Sequence, residues 1–232
     1  MTEQEWLACT DPTPMLAFLR GKASDRKLRL FAVACCWQLG YLLRDKRSKK
    51  AIKASERYAD GLFALARITT VRDGAGQAVA EWVDAEAVAV GRRFPEELAY
   101  AATQSAAHEA AAQASDIAAR LSEAEAREIG YASRKQSQVR VLRDIFGNPF
   151  RPSPPLPPAV LAWNDRTVPR IAEGIYDDRK MPEGTLYNDR LAILADALLD
   201  AGCEDEALIQ HCRSAGPHVR GCWAIDLILG KD

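Results

Sequence analysis

Residues 147–158, GNPFRPSPPLPP, restrict the fold more than any other segment of the chain. Six of these twelve residues are prolines, which lack an amide donor and push the preceding residue towards extended backbone. The segment therefore cannot be a regular helix, and its composition is typical of a polyproline-like strap. We expect Phe150 and Leu156 to anchor this strap on the part of the chain that precedes it. The same composition also suits a proline-rich ligand for a partner's aromatic groove.

On both sides of the strap the sequence has the periodicity of α-helices. Ser24 opens the best-defined helix, in which apolar residues recur at intervals of three and four: Leu28, Phe31, Ala32, Cys35, Cys36, Leu39, Leu42 and Leu43. We expect the helical pattern to break at residues 73–76, DGAG. No stretch alternates apolar and polar residues convincingly enough to predict a strand.

The sequence therefore predicts an all-α protein with two parts. A multi-helix N-terminal domain covers residues 1–146, the proline-rich linker covers residues 147–158, and a smaller C-terminal helical unit covers residues 159–232. We expect the C-terminal unit to pack against the N-terminal domain.

Cysteine and histidine are concentrated near the C-terminus. Cys203, His211, Cys212, His218 and Cys222 follow the pattern C-x7-HC-x5-H-x3-C and include three of the six cysteines and two of the three histidines. Zinc suits such a mixed set of sulfur and nitrogen ligands. If residues 218–229 form a helix, His218 and Cys222 lie one turn apart on the same face and can bind one ion. His211 and Cys212 point about 100° apart on a helix, so only one of them fits comfortably.

The alternative interpretation of this cluster is packing, because its spacing lacks the paired C-x2-C of recognisable zinc sites. Cys203, Cys212 and Cys222 are then small buried groups, and the two histidines cap helix ends or bond to carbonyls. Cys222 precedes Trp223 and an apolar run, which favours burial. The adjacent Cys35 and Cys36 lie in the middle of a predicted helix, and we expect them in the core.

Positive charge is concentrated in residues 44–57, RDKRSKKAIKASER. Residues 1–70 carry 13 Lys and Arg against 7 Asp and Glu, although the whole chain has a formal net charge of −1. Five of these cations recur at helical spacing and form a stripe, which we call the basic stripe: Lys46, Lys49, Lys50, Lys53 and Arg57. It can follow a phosphate backbone, meet an acidic protein, or be a solvated helix face. Only Tyr41 and Tyr58 flank it, so base stacking is not indicated.

No pattern in the chain identifies a reaction. There is no glycine-rich phosphate loop, no H-E-x-x-H and no nucleophile elbow. Asp196 and Asp200 lie one turn apart on a predicted helix, which suits a divalent ion or a solvated face. We therefore expect a non-catalytic interaction or adaptor protein with a protein partner. The alternatives are a zinc-stabilised, nucleic-acid-associated protein and a helical-bundle enzyme with a carboxylate-held metal. No cofactor other than zinc is indicated.

Two absences point to the cytoplasm. No apolar run approaches the length of a membrane span, so we expect no membrane partner. The N-terminal residues lack the basic and apolar regions of a secretory signal. In that compartment the six cysteines are expected to be reduced thiols.

Three segments of the chain resemble a known family. MTEQEWLACTDPTPMLAFLRGKASDRKLRLFAVACC at the start, LRDIFGNPFRP in the middle and LAILADALLDAGCEDEALIQHCRSAGPHVRGCWAIDLILGK at the end are similar to a large paralogous family of Gemmata-type planctomycete bacteria. The alanine-rich middle matches only in composition. The stretch LAILADALLDAGCED also resembles the short repeat-companion domain of the same genomes. The resemblance implies a bacterial lineage and compartment, and it implies no activity.

Overall fold

A computed structural model describes residues 1–82, 95–104, 106–125 and 131–231. Within these ranges the secondary structure is helical and no strand forms, which confirms the all-α prediction. The helices are α1 (Glu3–Ala8), α2 (Pro12–Leu19), α3 (Asp25–Gln38), α4 (Lys46–Ala59), α5 (Leu65–Trp82), α6 (Pro95–Ala102), α7 (Ala107–Glu125), α8 (Tyr131–Phe146), α9 (Pro158–Asp177), α10 (Asn188–Asp200), α11 (Glu206–Arg213) and α12 (Trp223–Leu229). None of these helices is long and apolar enough to cross a bilayer.

The chain divides into two compact units, Met1–Val139 and Arg140–Asp232. The division falls inside α8, so the end of that helix and the whole proline-rich segment belong to the C-terminal unit. Leu156 is buried in the apolar core of this unit, whereas Phe150 is 36% exposed. Leu156 is thus an anchor of the strap, but the core in which it is buried consists of residues that follow the strap, so the expected anchoring of Leu156 on the preceding part of the chain is wrong. Anchoring by Phe150 stays a prediction.

Helix α3 is the centre of the N-terminal unit, and α4, α6 and α7 all pack on it. It begins where predicted, because the Ser24 hydroxyl accepts a hydrogen bond from the Lys27 amide at 3.4 Å. The helix buries five residues of the predicted apolar face: Leu28, Phe31, Ala32, Cys35 and Cys36. It ends at Gln38, so Leu39, Leu42 and Leu43 follow it rather than belong to it, and Leu42 is only half-buried. All six cysteines of the chain are free thiols. The three- and four-residue spacing therefore identified the core helix correctly.

The predicted break at residues 73–76 is wrong, because α5 runs through it without interruption. A glycine inside a helix costs about 1 kcal/mol relative to alanine, and burial of the neighbouring residues offsets that cost. Ala75 and Ala78 are fully buried. At Gly76 a Cβ would lie 3.4 Å from the Tyr100 ring, which is an ordinary van der Waals contact, so the packing there does not require a glycine.

The C-terminal unit contains α9 to α12 around one apolar core. Helix α9 is interrupted at Trp163, Asn164, Asp165 and Arg166, of which the last three have positive φ, and it resumes at Thr167.

The predicted helix over residues 218–229 is wrong in its first part, because α12 begins only at Trp223. Val219 forms an isolated antiparallel bridge with Thr185, and Gly221 has a φ of +91°. Neither arrangement is compatible with a right-handed helix. Cys222 is consequently the N-cap residue of α12.

Candidate metal centre

Four metal-ligating side chains converge in the C-terminal unit, and we call this group the metal centre. Asp144, His211, His218 and Cys222 each offer one ligand atom, and these atoms all lie within 4.8 Å of one another. The side chains of Asp144, His218 and Cys222 are buried, and that of His211 is 17% exposed. Within the described residues no other group of three or more such side chains comes together.

Each ligand is placed by a different element. Asp144 lies in the last turn of α8, His211 lies in α11, His218 lies between α11 and α12, and Cys222 caps α12. Helix α11 starts at a side-chain cap, in which Asp205 accepts a hydrogen bond from the amide of the third helical residue at 3.0 Å. The centre is therefore built on helix ends and on one fixed loop.

The Asp144 carboxylate is the hub of the hydrogen bonds. Its Oδ1 lies 2.8 Å from Nδ1 of His218 and 3.1 Å from Nε2 of His211, and its Oδ2 accepts the Val219 amide at 2.8 Å. Burial alone would raise the pKa of Asp144, but the hydrogen bonds from the two histidines outweigh it and lower the pKa. Asp144 is therefore ionised at neutral pH.

His218 has hydrogen-bond partners at both ring nitrogens. Its Nε2 lies 3.2 Å from the Ser214 carbonyl oxygen and 3.2 Å from the Ser214 hydroxyl, which itself donates to the His211 carbonyl. Burial lowers the pKa of His218, but the hydrogen bond and charge of Asp144 outweigh this and raise the pKa. Without metal, Nδ1 donates to Asp144 and Nε2 donates to Ser214, which makes the ring cationic.

His211 connects the carboxylate to the thiol. Its Nε2 lies 3.1 Å from Asp144 Oδ1 and 3.1 Å from Cys222 Sγ. The ring packs edge-on against His218 at 4.8 Å and tilted against Trp223 at 4.9 Å between centroids. These ring contacts hold the imidazole in the orientation that faces the other ligands.

The group does not have the geometry of a cysteine nucleophile. A catalytic Cys–His–Asp set needs the thiol and the carboxylate at opposite nitrogens of the imidazole, whereas both contact Nε2 of His211. Burial, followed by the charge of Asp144, also raises the pKa of Cys222 well above its ordinary value. The thiol is therefore neutral and inert unless a metal ion takes the place of its proton.

The donor set fits zinc. One carboxylate oxygen, two imidazole nitrogens and one sulfur at bond lengths of 2.0–2.3 Å lie roughly 3.3–3.6 Å apart in a tetrahedron. The short contacts of 2.8–3.1 Å between these atoms need to open by a few tenths of an ångström, and the wider separations, which extend to 4.8 Å, need to close by about 1 Å to reach the tetrahedral distances. Asp144 and the Cys222 thiolate together supply two negative charges, which balance the ion in a buried site. The Ser214 carbonyl fixes the His218 tautomer that leaves Nδ1 free for a metal.

The predicted ligand set and the metal centre overlap in three residues. His211, His218 and Cys222 come together, whereas Cys203 and Cys212 lie in the apolar core outside the group. Burial, with smaller effects of nearby charges, raises the pKa of Cys212 to about 12.

Sequence reasoning missed Asp144, which precedes His211 by 67 residues. One signal was present. Asp144 lies one turn after Val141 on α8 and directly before Ile145, and both of these apolar residues are fully buried. A carboxylate in that position needs buried partners.

The basic stripe lies on α4 and lines a groove in the N-terminal unit, which we call the basic groove. Its volume is about 550 Å³, and it is lined by Lys46, Lys49, Lys50, Lys53, Ala54, Arg57, Phe63 and Val71.

The acidic pair predicted on α10 does not form a site: Asp196 is 68% exposed and pairs with Arg213 at 2.7 Å. His108 bonds to the Leu16 carbonyl at 3.0 Å, which is a structural contact.

Comparison of the chain with protein-family models, with curated proteins and with solved structures gave no match. The resemblance to the planctomycete family stays a prediction.

Proposed function

We propose that the protein binds one zinc ion at the metal centre and acts as a non-catalytic interaction protein whose C-terminal unit is held together by that ion. The observation that carries the proposal is the convergence of four ligand atoms within 4.8 Å. Four protein ligands fill a tetrahedral shell and leave no position for water or substrate. Structural zinc sites have this closed arrangement, whereas catalytic sites keep one position open.

A zinc ion at this place would connect segments that are distant in sequence. Asp144 lies 67 residues before His211 and 74 residues before His218. Ligands that meet only in the folded chain make the free energy of metal binding part of the free energy of folding. The ion would therefore join the end of α8 to α11 and to the N-terminus of α12.

The competing explanation is a metal-free network in which the Asp144 carboxylate bonds to His211 and His218. This network accounts for the lowered pKa of Asp144 and the raised pKa of His218. It leaves Cys222 only a packing role in the apolar core, although the Cys222 Sγ lies 3.1 Å from His211 Nε2. A thiol contributes little to a charged hydrogen-bond network, whereas a thiolate is a strong zinc ligand. Cys222 is therefore the residue on which the test depends.

The first experiment is elemental analysis of untagged protein purified under reducing conditions without chelator. We expect about one zinc per chain, and Cys222→Ala should lose it. Cys212→Ala is the matched control, because Cys212 is also fully buried in the same core but lies outside the metal centre. Both variants create a similar cavity, so only the ligand role separates their metal contents.

Cobalt substitution gives a second readout that does not depend on stability. Tetrahedral Co²⁺ with a thiolate ligand has a sulfur-to-metal charge-transfer band, which Cys212→Ala should retain and Cys222→Ala should lose. If the wild-type protein takes up neither zinc nor cobalt and chelators leave its unfolding unchanged, the metal centre is only a buried ion pair and the proposal is wrong.

A further inference from the structure

We infer that the basic groove binds single-stranded nucleic acid through its phosphate backbone. The inference rests on the proposed interaction role and names a partner for it. All residues that line the groove lie in the N-terminal unit, so the inference does not depend on zinc.

The cations of the groove have no carboxylate counter-charge among the residues that the structure describes. Within the described part of the chain, none of the five cations of the basic stripe forms an ion pair with a carboxylate. Arg47 on the same helix is different, because it pairs with both Asp45 and Glu81. Like charges held one turn apart on a helix repel each other, and an anionic ligand relieves that repulsion. The groove is therefore complementary to a ligand with several negative charges.

The spacing of the charges favours a polymer of phosphates. From Lys46 to Arg57 the helix rises about 16 Å at 1.5 Å per residue, with about three cations per two turns. Four of the five are lysines, which act as point charges and hold phosphates without a fixed orientation. An acidic protein surface pairs best with the planar fork of arginine, and the groove has only Arg57.

The groove also holds an aromatic ring that the sequence interpretation did not connect with the stripe. Phe63 is partly exposed, and the guanidinium carbons of Arg57 and Arg67 lie 5.7 Å and 5.8 Å from its ring centre. The neighbouring Leu62 and Leu65 are 63% and 52% exposed. An aromatic ring beside a line of cations is the combination that binds single strands, because bases stack while phosphates meet the charges.

The aromatic ring of the groove favours a single strand over a duplex as its ligand. Unpaired bases can enter such a groove and reach Phe63, whereas the bases of a duplex are already stacked on each other.

The experiment measures the affinity of the whole chain for a fluorescent oligothymidine over a range of salt concentrations. Five phosphate contacts predict a slope of about −3.5 for log K against log salt, at about 0.7 per contact. Reversal of three lysines (Lys49→Glu, Lys50→Glu and Lys53→Glu) should weaken binding at least tenfold and reduce the magnitude of the slope by about 2.

The control reverses three cations of the same unit that do not line the groove (Arg20→Glu, Lys22→Glu and Lys27→Glu). Both variants change the net charge equally, so a general electrostatic attraction would weaken binding equally in both. We expect the control to change affinity by no more than about threefold. An equal loss in the two variants would overturn the inference.

A second pair of variants separates nucleic acid from other polyanions. Phe63→Ala should weaken oligothymidine binding about tenfold and leave binding of polyphosphate, which has no bases, unchanged. Leu62→Ala is the control for removal of an exposed apolar side chain. Tight binding of polyglutamate, with no effect of Phe63→Ala on oligothymidine, would overturn the inference in favour of an acidic protein. Absence of oligothymidine binding at low salt would overturn it outright.

The zinc content of each preparation is measured beside its affinity for oligothymidine. A preparation that holds zinc but binds no strand contradicts the groove inference alone. A preparation that binds the strand but holds no zinc contradicts the zinc proposal alone.

Discussion

The metal centre and the basic groove handle charge in opposite ways. In the metal centre Asp144 is buried and bonds to both histidines and to a backbone amide. In the groove the five cations of the basic stripe have no carboxylate partners among the described residues, unlike Arg47 on the same helix. A buried charge must be compensated inside the fold, so its partners are structural. An exposed set of like charges is compensated only from outside, so it indicates a ligand.

The largest expected effect is on the buried side of this comparison. Asp144→Ala leaves the His218 ring and the Val219 amide without their acceptor, and removal of one partner of a buried ion pair costs about 3–5 kcal/mol. Deuterium exchange of amides in α10 and α11 measures this loss within the C-terminal unit. The control Asp196→Ala breaks an exposed ion pair and should cost about 1 kcal/mol or less. Similar losses in the free energy of unfolding of the two variants would mean that the buried contacts of Asp144 do not stabilise the C-terminal unit.

A smaller effect is expected at Gly147, which follows α8. Its φ is +60°, and a Cβ would lie 3.2 Å from Trp223, whose ring packs on His211. Gly202 has a φ of +77° with nothing within 4 Å of a Cβ, so it isolates the backbone cost. Both alanine variants should lose about 1–2 kcal/mol from the left-handed backbone, and Gly147→Ala should lose more. Urea unfolding measures the loss of stability in each variant, and zinc competition measures any change in zinc affinity. Equal losses of stability in Gly147→Ala and Gly202→Ala would show that the Trp223 contact is unimportant.

The dependence of stability on pH should have opposite signs with and without zinc. In chelated protein the raised pKa of His218 stabilises the fold fully below about pH 6.5, and this contribution is lost as the pH rises through that pKa. The lowered pKa of Asp144 contributes above about pH 3.9 and is lost as the pH falls through the lowered value. With zinc, stability should rise between pH 6 and 8, because the ligands must lose protons to bind the ion. Unfolding curves at three pH values, with zinc and with chelator, show whether stability rises or falls with pH in each form. The same trend in both forms would contradict the zinc proposal.

The smallest effect on stability is expected on the exposed side. The triple reversal of Lys49, Lys50 and Lys53 should change the free energy of unfolding by no more than about 0.5 kcal/mol. Its effect on stability should therefore be small although its effect on strand binding is large. Thermal unfolding of this variant provides the measurement. A loss of several kcal/mol would mean that the stripe has structural partners and that the contrast with the metal centre fails.

The parts of the fold that follow from local physics could be predicted from the sequence. The Ser24 cap and the apolar spacing of α3 depend on neighbours within one or two turns, and both predictions are confirmed. The break at residues 73–76 was wrong because glycine propensity is a weak effect. Burial of Ala75 and Ala78 against the rest of the N-terminal unit favours the helix there.

The metal centre could be predicted only in part for the same reason. The C-terminal pattern identified His211, His218 and Cys222, but their geometry depends on the bridge of Val219 with Thr185. Asp144 comes from a different helix, so no spacing in the C-terminal pattern can indicate it. The cysteines excluded from the centre have the same residue type as the one included, and only tertiary packing separates them.

Phe63 was missed because of a turn. Gly61 has a φ of +71° and follows α4, and the Leu62 amide donates back to the Arg57 carbonyl at 2.8 Å. This is the hydrogen bond of a Schellman C-cap, which reverses the chain at the end of a helix. The turn returns Phe63 to the last cation of the stripe, although the helical pattern that revealed the stripe had already ended.

The packed underside of α4 has a consequence for the rate of binding. Ala51, Ile52 and Ser55 are fully buried, and the Ser55 hydroxyl donates to the Ala102 carbonyl at 2.6 Å. The cations on the opposite face are therefore assembled before any ligand arrives, and capture of an anionic strand needs no folding step. Association steered by such a preformed field approaches 10⁸–10⁹ M⁻¹s⁻¹ at low salt, against about 10⁵–10⁶ without it. Differences in affinity between strands would then lie mainly in how long each strand remains bound.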